Sequence, residues 1–251
     1  MKKAIVLLHG WLSDINDFEA LLPLLKKEYD HIERVCYDGH GDGADPYDFD
    51  DVKTFELVDN TMLTLQKKYE VIDVVGFSMG GALAVYLSQH YDFRKLVLLA
   101  PANKYLNFTM PFSRMKHWLK CLFYLEKARL LKNDEEKELY KEKLRATFED
   151  DKFSFTFFKD KYLKRYFRHV FRVFQKIIEK ANENIVEIKN PCFIAWGKLD
   201  QVVPKQSVEY LHELCINENK KLMIYEDLSH MLILSKDNQK IVNDIIEFLK
   251  D

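Results

Sequence analysis

Val71-Ile72-Asp73-Val74-Val75-Gly76-Phe77-Ser78-Met79-Gly80 is the stretch that decides the fold. Its first half is an apolar, β-branched run of strand length. Its second half is G-x-S-x-G, leading directly into a helical stretch from Ser78 to His90. A strand that ends this way is a nucleophile elbow, a turn so sharp that the serine backbone is strained and its hydroxyl stands out above the sheet. Bulk two residues before or after the serine would block the turn, hence the glycines. With eight glycines and 251 residues, random placement gives roughly 0.008 such pentapeptides. The competing reading, an incidental serine in a glycine-rich turn, is therefore disfavoured.

Outward from this stretch, strand and helix alternate. Apolar runs lie at Ala4–Leu8, Ile32–Tyr37, Val71–Val75, Leu96–Leu99, Cys192–Trp196 and Leu222–Tyr225. Runs without polar alternation suit a parallel sheet covered on both faces. The predicted helices are Asp14–Tyr29 with Asp14 as N-cap, Val52–Tyr69, Ser78–His90, Pro204–Leu214 and Asn238–Leu249. The order βαβαβαβ, insertion, βαβα predicts an α/β chain with right-handed crossovers and a mostly parallel, doubly wound sheet. Ligands of such sheets bind beyond the carboxyl ends of the strands, where Ser78 stands.

An acyl-transfer serine needs a base, a group to orient that base, and donors for an oxyanion. His230 follows the strand Leu222–Tyr225 by the short connector Glu226-Asp227-Leu228-Ser229, and Asp200 follows Cys192–Trp196 in Gly197-Lys198-Leu199-Asp200. Ser78, Asp200, His230 is then a Ser…Asp…His chain order. Asp227 is the alternative acid, but three residues before His230 it would crowd the imidazole. His31, His90, His117, His169 and His212 fall on or beside helices, while His9 and His40 sit in glycine loops as braces. Asp38 is likewise read as a brace of the loop behind it. For the oxyanion the expected donors are the backbone N–H groups of Met79, next after the nucleophile, and of Trp11, in the loop after the first strand. The side chains of both can wall an acyl group.

With 47% hydrophobic and 31% charged residues, the chain is neither disordered nor a membrane protein by composition. Met1-Lys2-Lys3 before Ala4–Leu8 superficially resembles a signal peptide, but the apolar run is short and leads into His9-Gly10. Cys36, Cys121, Cys192 and Cys215 form no C-x-x-C pair, which predicts buried thiols in a reducing, cytoplasmic compartment. No metal site, dinucleotide fingerprint or phosphate loop is present, so no cofactor is expected.

The middle of the chain, about 102–187, interrupts the alternation. Lys104 to Lys180 carries 20 Lys and Arg against 11 Asp and Glu, while the remainder has 18 against 29. Phe153, Phe155, Phe157, Phe158, Tyr162, Tyr166, Phe167, Phe171 and Phe174 crowd its second half. Tyr162, Tyr166, Phe167, Val170, Phe171 and Phe174 have helical spacing. The favoured reading is a stripe packed on the acidic remainder, with its charges in water. The sharper alternative is that the stripe lines an acyl pocket and the basic face attracts anionic or interfacial substrates, with transient membrane-surface contact through the basic cap. Nucleic-acid binding is disfavoured at a pI near 6.5.

Leu8-His9-Gly10, Gly39-His40-Gly41, the elbow, Gly197…Asp200 with Val203-Pro204, and Ser229-His230 together resemble the α/β-hydrolase superfamily. Within it they resemble the small-cap carboxylesterases and monoacylglycerol lipases, the serine aminopeptidase-like group. The likeness covers roughly residues 3–100 and 190–250. Members often carry serine two residues after Gly-His-Gly, where this chain has Gly43. The resemblance implies an α/β-hydrolase core at 1–101 and 188–251 with a helical cap inserted at 102–187, and a serine hydrolase of small acyl or lipid-like esters. Thioester, amide or C–C hydrolysis would use the same triad. A non-catalytic binding protein on this scaffold usually lacks a triad member.

Overall fold

The computed structural model describes residues 1–103, 123–124, 126–131, 133–149, 165–200 and 202–250. Six strands form one sheet: β1 (Lys3–Leu8), β2 (His31–Val35), β3 (Val71–Phe77), β4 (Lys95–Leu99), β5 (Cys192–Gly197) and β6 (Lys220–Tyr225). Their order is β2-β1-β3-β4-β5-β6, and every pairing is parallel. The chain thus winds outward from β1 to β2, returns past β1 to β3, and continues to β6. The reversal opens a crevice at the carboxyl ends of β1 and β3, where Leu8 lies beside Gly76.

The inner strands β1, β3, β4 and β5 are almost wholly buried. The edge strands β2 and β6 are largely half-exposed and carry Glu33, Arg34, Lys220 and Lys221. These polar residues explain why hydropathy alone starts both edge strands late. Alternation assigns the two faces. Ile5, Leu7, Val75, Phe77, Val97 and Leu99 join a cluster with Phe18, Leu25, Ile241, Ile245 and Phe248, from helices α1 (Leu22–Glu28) and α7 (Gln239–Lys250) and the turn before α1. The other face carries α3 (Met79–His90), which packs on β3, β1 and β4, with α2 (Asp51–Gln66) against it.

The stretch Asp14–Tyr29 is not the continuous helix its periodicity predicts. Asp14 caps a short 3-10 helix, Ile15–Phe18, by accepting the Asn16 N–H, and α1 restarts at Leu22. Pro23 stands at the start of α1. Its ring would clash with the carbonyl four residues back and it has no N–H to donate, so helix cannot run through it.

Contacts divide the chain into two compact units, Met1–Leu106 with Arg168–Asp251, and Asn107–Phe167. In the second, helix α4 (Asp134–Glu149) opens with Asp134, Glu135 and Glu136, acidic residues that favour a helix N-terminus. Helix α5 (Phe167–Ala181) belongs almost entirely to the first unit and buries Val170, Val173, Phe174, Ile177, Ile178 and Ala181. That part of the basic, aromatic stripe packs within the larger unit: Lys176 pairs with Asp51 at 3.1 Å and Lys180 lies 4.2 Å over the Phe55 ring. Phe153, Phe155, Phe157, Phe158 and Tyr162 lie outside the described residues, as do His117 and Cys121. Helix α6 (Lys205–Leu214) follows β5. Among the described residues, no helix is long and apolar enough to cross a membrane.

At the amino-terminal end of the sheet, Asp73 is wholly buried. Arg94 donates to its carboxylate through Nε (3.0 Å) and Nη2 (2.6 Å), the Tyr29 hydroxyl donates at 2.6 Å and the Lys95 N–H at 2.9 Å. Arg94 and Lys95 also donate to the carbonyls of Leu249 (2.8 Å) and Phe248 (2.7 Å), cations on the last turn of α7 where carbonyls lack helical partners. Burial beside Asp73 raises the Tyr29 phenol far above its ordinary range. Asp73→Ala should therefore cost about 3 kcal/mol in guanidinium unfolding, because it leaves a cation and a hydroxyl without their acceptor. A loss under about 1 kcal/mol would show the network to be dispensable.

Candidate active site

Ser78 follows β3 with φ 52° and ψ −114°, a left-handed backbone that costs a non-glycine residue about 1–3 kcal/mol. Hydrogen bonds hold the strain. The Ser78 N–H donates to Leu99 O (2.9 Å), and Ser78 O accepts from Gly81 (2.9 Å), Ala82 (3.3 Å) and Ala102 (2.9 Å). The flanking glycines answer to close approach. A Cβ on Gly76 would lie 2.2 Å from Gly80 O, and one on Gly80 would lie 1.9 Å from Leu8 O. The first turn of α3 can therefore rest directly on the end of β1.

His230 leaves the loop after β6 and Asp200 the loop after β5. His230 Nε2 lies 3.0 Å from Ser78 Oγ, and His230 Nδ1 lies 2.8 Å from Asp200 Oδ2. The other carboxylate oxygen, Oδ1, accepts the N–H groups of Val202 (2.7 Å) and Val203 (2.9 Å). An ionised carboxylate only accepts, so Nδ1 carries the imidazole proton and Nε2 keeps a lone pair for the serine hydroxyl. The Asp200 side chain is fully buried and that of His230 is 13% exposed. Asp227 is exposed, and the imidazole nitrogen that an orienting acid would engage is the one at Asp200.

Gly197, quoted above as a motif residue before the candidate acid, has a steric task here. A Cβ on Gly197 would lie 2.3 Å from Leu228 O. Only glycine lets the histidine loop lie against the acid loop, where the Leu199 N–H donates to Leu228 O (3.0 Å) and the Lys198 N–H to Tyr225 O (2.9 Å). A glycine at a strand end followed by the candidate acid is the signal that could have revealed this contact.

The loop after β1 closes the crevice. A Cβ on Gly10 would lie 3.1 Å from the Phe77 ring and 3.5 Å from Ser78 Cβ, so this loop abuts the serine. His9 is wholly buried; its Nδ1 donates to Gly10 O at 2.8 Å, and its ring lies 4.3 Å from Tyr37 and 5.2 Å from His40. The Leu12 N–H donates to His40 Nε2 (3.3 Å), so His40 is neutral there and donates from Nδ1 to Asp38 O (3.2 Å). Asp38 thus braces the loop through its carbonyl. Its carboxylate faces solvent, 3.7 Å from Lys53. Trp11 stacks on Phe174 (4.6 Å) and meets Phe171 (5.8 Å), while His169 lies 2.9 Å from Phe49 O. Helix α5 therefore backs the indole. Met79 opens α3 and is fully buried, with a first-turn N–H that no helical carbonyl can accept.

The arrangement joins a strained hydroxyl, an imidazole holding a lone pair toward it and a buried carboxylate behind. Comparison with known proteins agrees with its setting. Residues 1–237 match the family described as serine aminopeptidase, S33. A putative esterase/lipase of Mycoplasma genitalium is 32% identical over 106 residues, covering 41% of this chain and 39% of that protein. A carboxylesterase of Bacillus subtilis is 21% identical over 252 residues, covering 99% of this chain and 92% of that protein. Among solved structures, the monoacylglycerol lipase of Paleococcus ferrophilus has a TM-score of 0.65 at 15% identity, covering 98% of this chain and 93% of that one. A meta-cleavage product hydrolase of Pseudomonas fluorescens has 0.61 at 20%, covering 100% and 91%. With nearly its whole length matched, the chain belongs to the serine aminopeptidase S33 family and is an esterase- and lipase-like hydrolase of the α/β-hydrolase fold.

Proposed function

We propose that this enzyme cleaves carboxylic esters of small acyl or lipid-like groups in two steps through an acyl-enzyme at Ser78. The observation that carries the reading is the pair of contacts from Ser78 Oγ to His230 Nε2 (3.0 Å) and from His230 Nδ1 to Asp200 Oδ2 (2.8 Å). Ser78 Oγ attacks the ester carbonyl while His230 Nε2 takes its proton, and Asp200 stabilises the resulting imidazolium without itself being protonated. The N–H groups of Met79 and Trp11 receive the negative charge on the former carbonyl oxygen. His230 returns the proton to the departing alkoxide, then activates a water that releases the acid and restores the serine. No step needs a cofactor.

Ester chemistry is preferred over thioester, amide or C–C cleavage because the curated relative matched over nearly the whole chain is a carboxylesterase. We assign residues 1–101 and 188–251 to the catalytic core and 102–187 to a cap that selects the substrate, with α5, at the end of that insertion, packed into the same compact unit as the core. Cys36, Cys192 and Cys215 are free thiols, the last two buried as expected and Cys36 exposed instead; free thiols support a cytoplasmic setting.

Ser78→Ala should lower kcat by on the order of 10⁶ on p-nitrophenyl esters and abolish stoichiometric labelling by a fluorophosphonate. Undiminished hydrolysis by this variant would refute the nucleophile, and an unlabelled wild-type protein would point to a binding function. Asp200→Asn should cost roughly 10⁴ in kcat by removing the acceptor that sets the imidazole tautomer. A loss below about tenfold would move the orienting role to Asp227.

A further inference from the structure

Asp17 is an aspartate inside the core, 3% exposed, in a stretch whose neighbours are Phe18 and Leu21. It is not part of the Ser78, His230, Asp200 arrangement. Its carboxylate instead faces the loop after β1: Oδ2 accepts the Gly10 N–H at 3.0 Å and Oδ1 accepts the Ser13 hydroxyl. The backbone beneath it is fixed. Asp14 caps the 3-10 helix, the Asp17 N–H donates to Asp14 O (3.2 Å), and Phe18 is fully buried.

The geometry of the loop gives these bonds a direction. A peptide unit is planar and trans, so its C=O and N–H point opposite ways. Asp17 holds the N–H of the His9–Gly10 unit, and the Tyr37 hydroxyl reaches the carbonyl of that unit at 3.5 Å. The next unit, Gly10–Trp11, has its carbonyl held by His9 Nδ1 (2.8 Å) and the Ser13 N–H (3.4 Å). Its Trp11 N–H must therefore point the other way. Ser13 is itself tied to Asp17 through its hydroxyl, so one carboxylate bears on both units. Leu12, next along, holds a left-handed φ of 57°, a conformation that a leucine keeps only when its surroundings impose it. Charge-assisted bonds from a buried carboxylate are strong enough to do so.

We propose that Asp17 is the positioning residue of the oxyanion site, fixing the Gly10–Ser13 turn and thereby the aim of the Trp11 N–H. This rests on the reading in which Trp11 and Met79 receive the oxyanion.

The test uses the full chain and the variants Asp17→Ala, Asp17→Asn and Ser13→Ala. Each is assayed for p-nitrophenyl butyrate hydrolysis per folded molecule and for the rate of labelling by a fluorophosphonate, whose phosphoryl oxygen would occupy the same site. Asp17→Ala should lower kcat about 30- to 100-fold with KM within about threefold, because a misaimed donor weakens only the transition state. Labelling should remain stoichiometric but slow by a similar factor. Asp17→Asn should recover activity to within about fivefold of wild type, since its amide oxygen can accept the Gly10 N–H and Ser13 Oγ can accept from the amide. A folded Asp17→Ala with kcat within about threefold of wild type, or with KM alone altered, would overturn the proposal. If Asp17→Ala does not fold, Ser13→Ala decides: a threefold to tenfold fall in kcat at constant KM supports the role, roughly as expected for one lost support, and an unchanged kcat overturns it. Failure of the serine-hydrolase reading beneath it is separately visible, because the wild-type protein itself would then take up no label at Ser78.

Discussion

The closeness of two backbones governs the carboxyl end of this sheet. The first turn of α3 lies so near the end of β1 that a methyl group on Gly80 would meet Leu8 O at 1.9 Å. That contact has no side chain in it, and no rotamer change could relieve it. Because the helix must begin there, β3 has to turn within a residue, and Ser78 takes the strain at φ 52°. The loop after β1 is then pressed against the serine through Gly10. Gly197 repeats the device two strands away, where the acid and histidine loops touch through Leu228 O. Three loops from distant parts of the sequence converge because glycine removes the volume that would hold them apart.

The two ends of the sheet do different work. At the amino-terminal end, a buried aspartate is matched by an arginine, a phenol and a backbone N–H, and the Arg94 and Lys95 side chains tie down the last helix. Asp73 lies within β3 and the candidate nucleophile follows its last residue, five residues on, about 16 Å along an extended chain. One strand thus carries an ion network that secures the core and leads into the strained turn that bears the candidate nucleophile. A buried carboxylate with matched partners can be kept far from a site whose own carboxylate must act on an imidazole.

Much of this was legible in the sequence because parallel strands leave a strong trace. Apolar runs marked all six strands, interrupted only by Glu33-Arg34 in β2 and Asp73 in β3, and the residues following three of them marked Ser78, Asp200 and His230, which the structure brings within hydrogen-bonding distance. Hydropathy was weakest at the edges, where β2 and β6 show lysine, arginine and glutamate to solvent. Asp14–Tyr29 misled because Phe18, Leu21, Leu22 and Leu25 keep helical spacing across a break that Pro23 imposes. Asp17 was invisible for the same reason: inside an imagined surface helix an aspartate is unremarkable, and only the broken helix turns it toward Gly10. The stripe of α5 was legible as a face, but its seat on Trp11, Phe49 and Phe55 depends on contacts across more than a hundred residues.

The stems on either side of residues 104–166 bear on how such an enzyme can diversify. On one side, the Ala102 N–H donates to Ser78 O, Asn103 Nδ2 donates to Ser207 O and Ser207 Oγ donates to Pro101 O. On the other, α5 is fastened by Phe174 and His169. Length and composition can drift between two such anchorages without pulling on the elbow. Mutational novelty in that interval is thereby uncoupled from the geometry at Ser78, so under the proposed function a lineage carrying this fold can try new specificities while inheriting its chemistry intact.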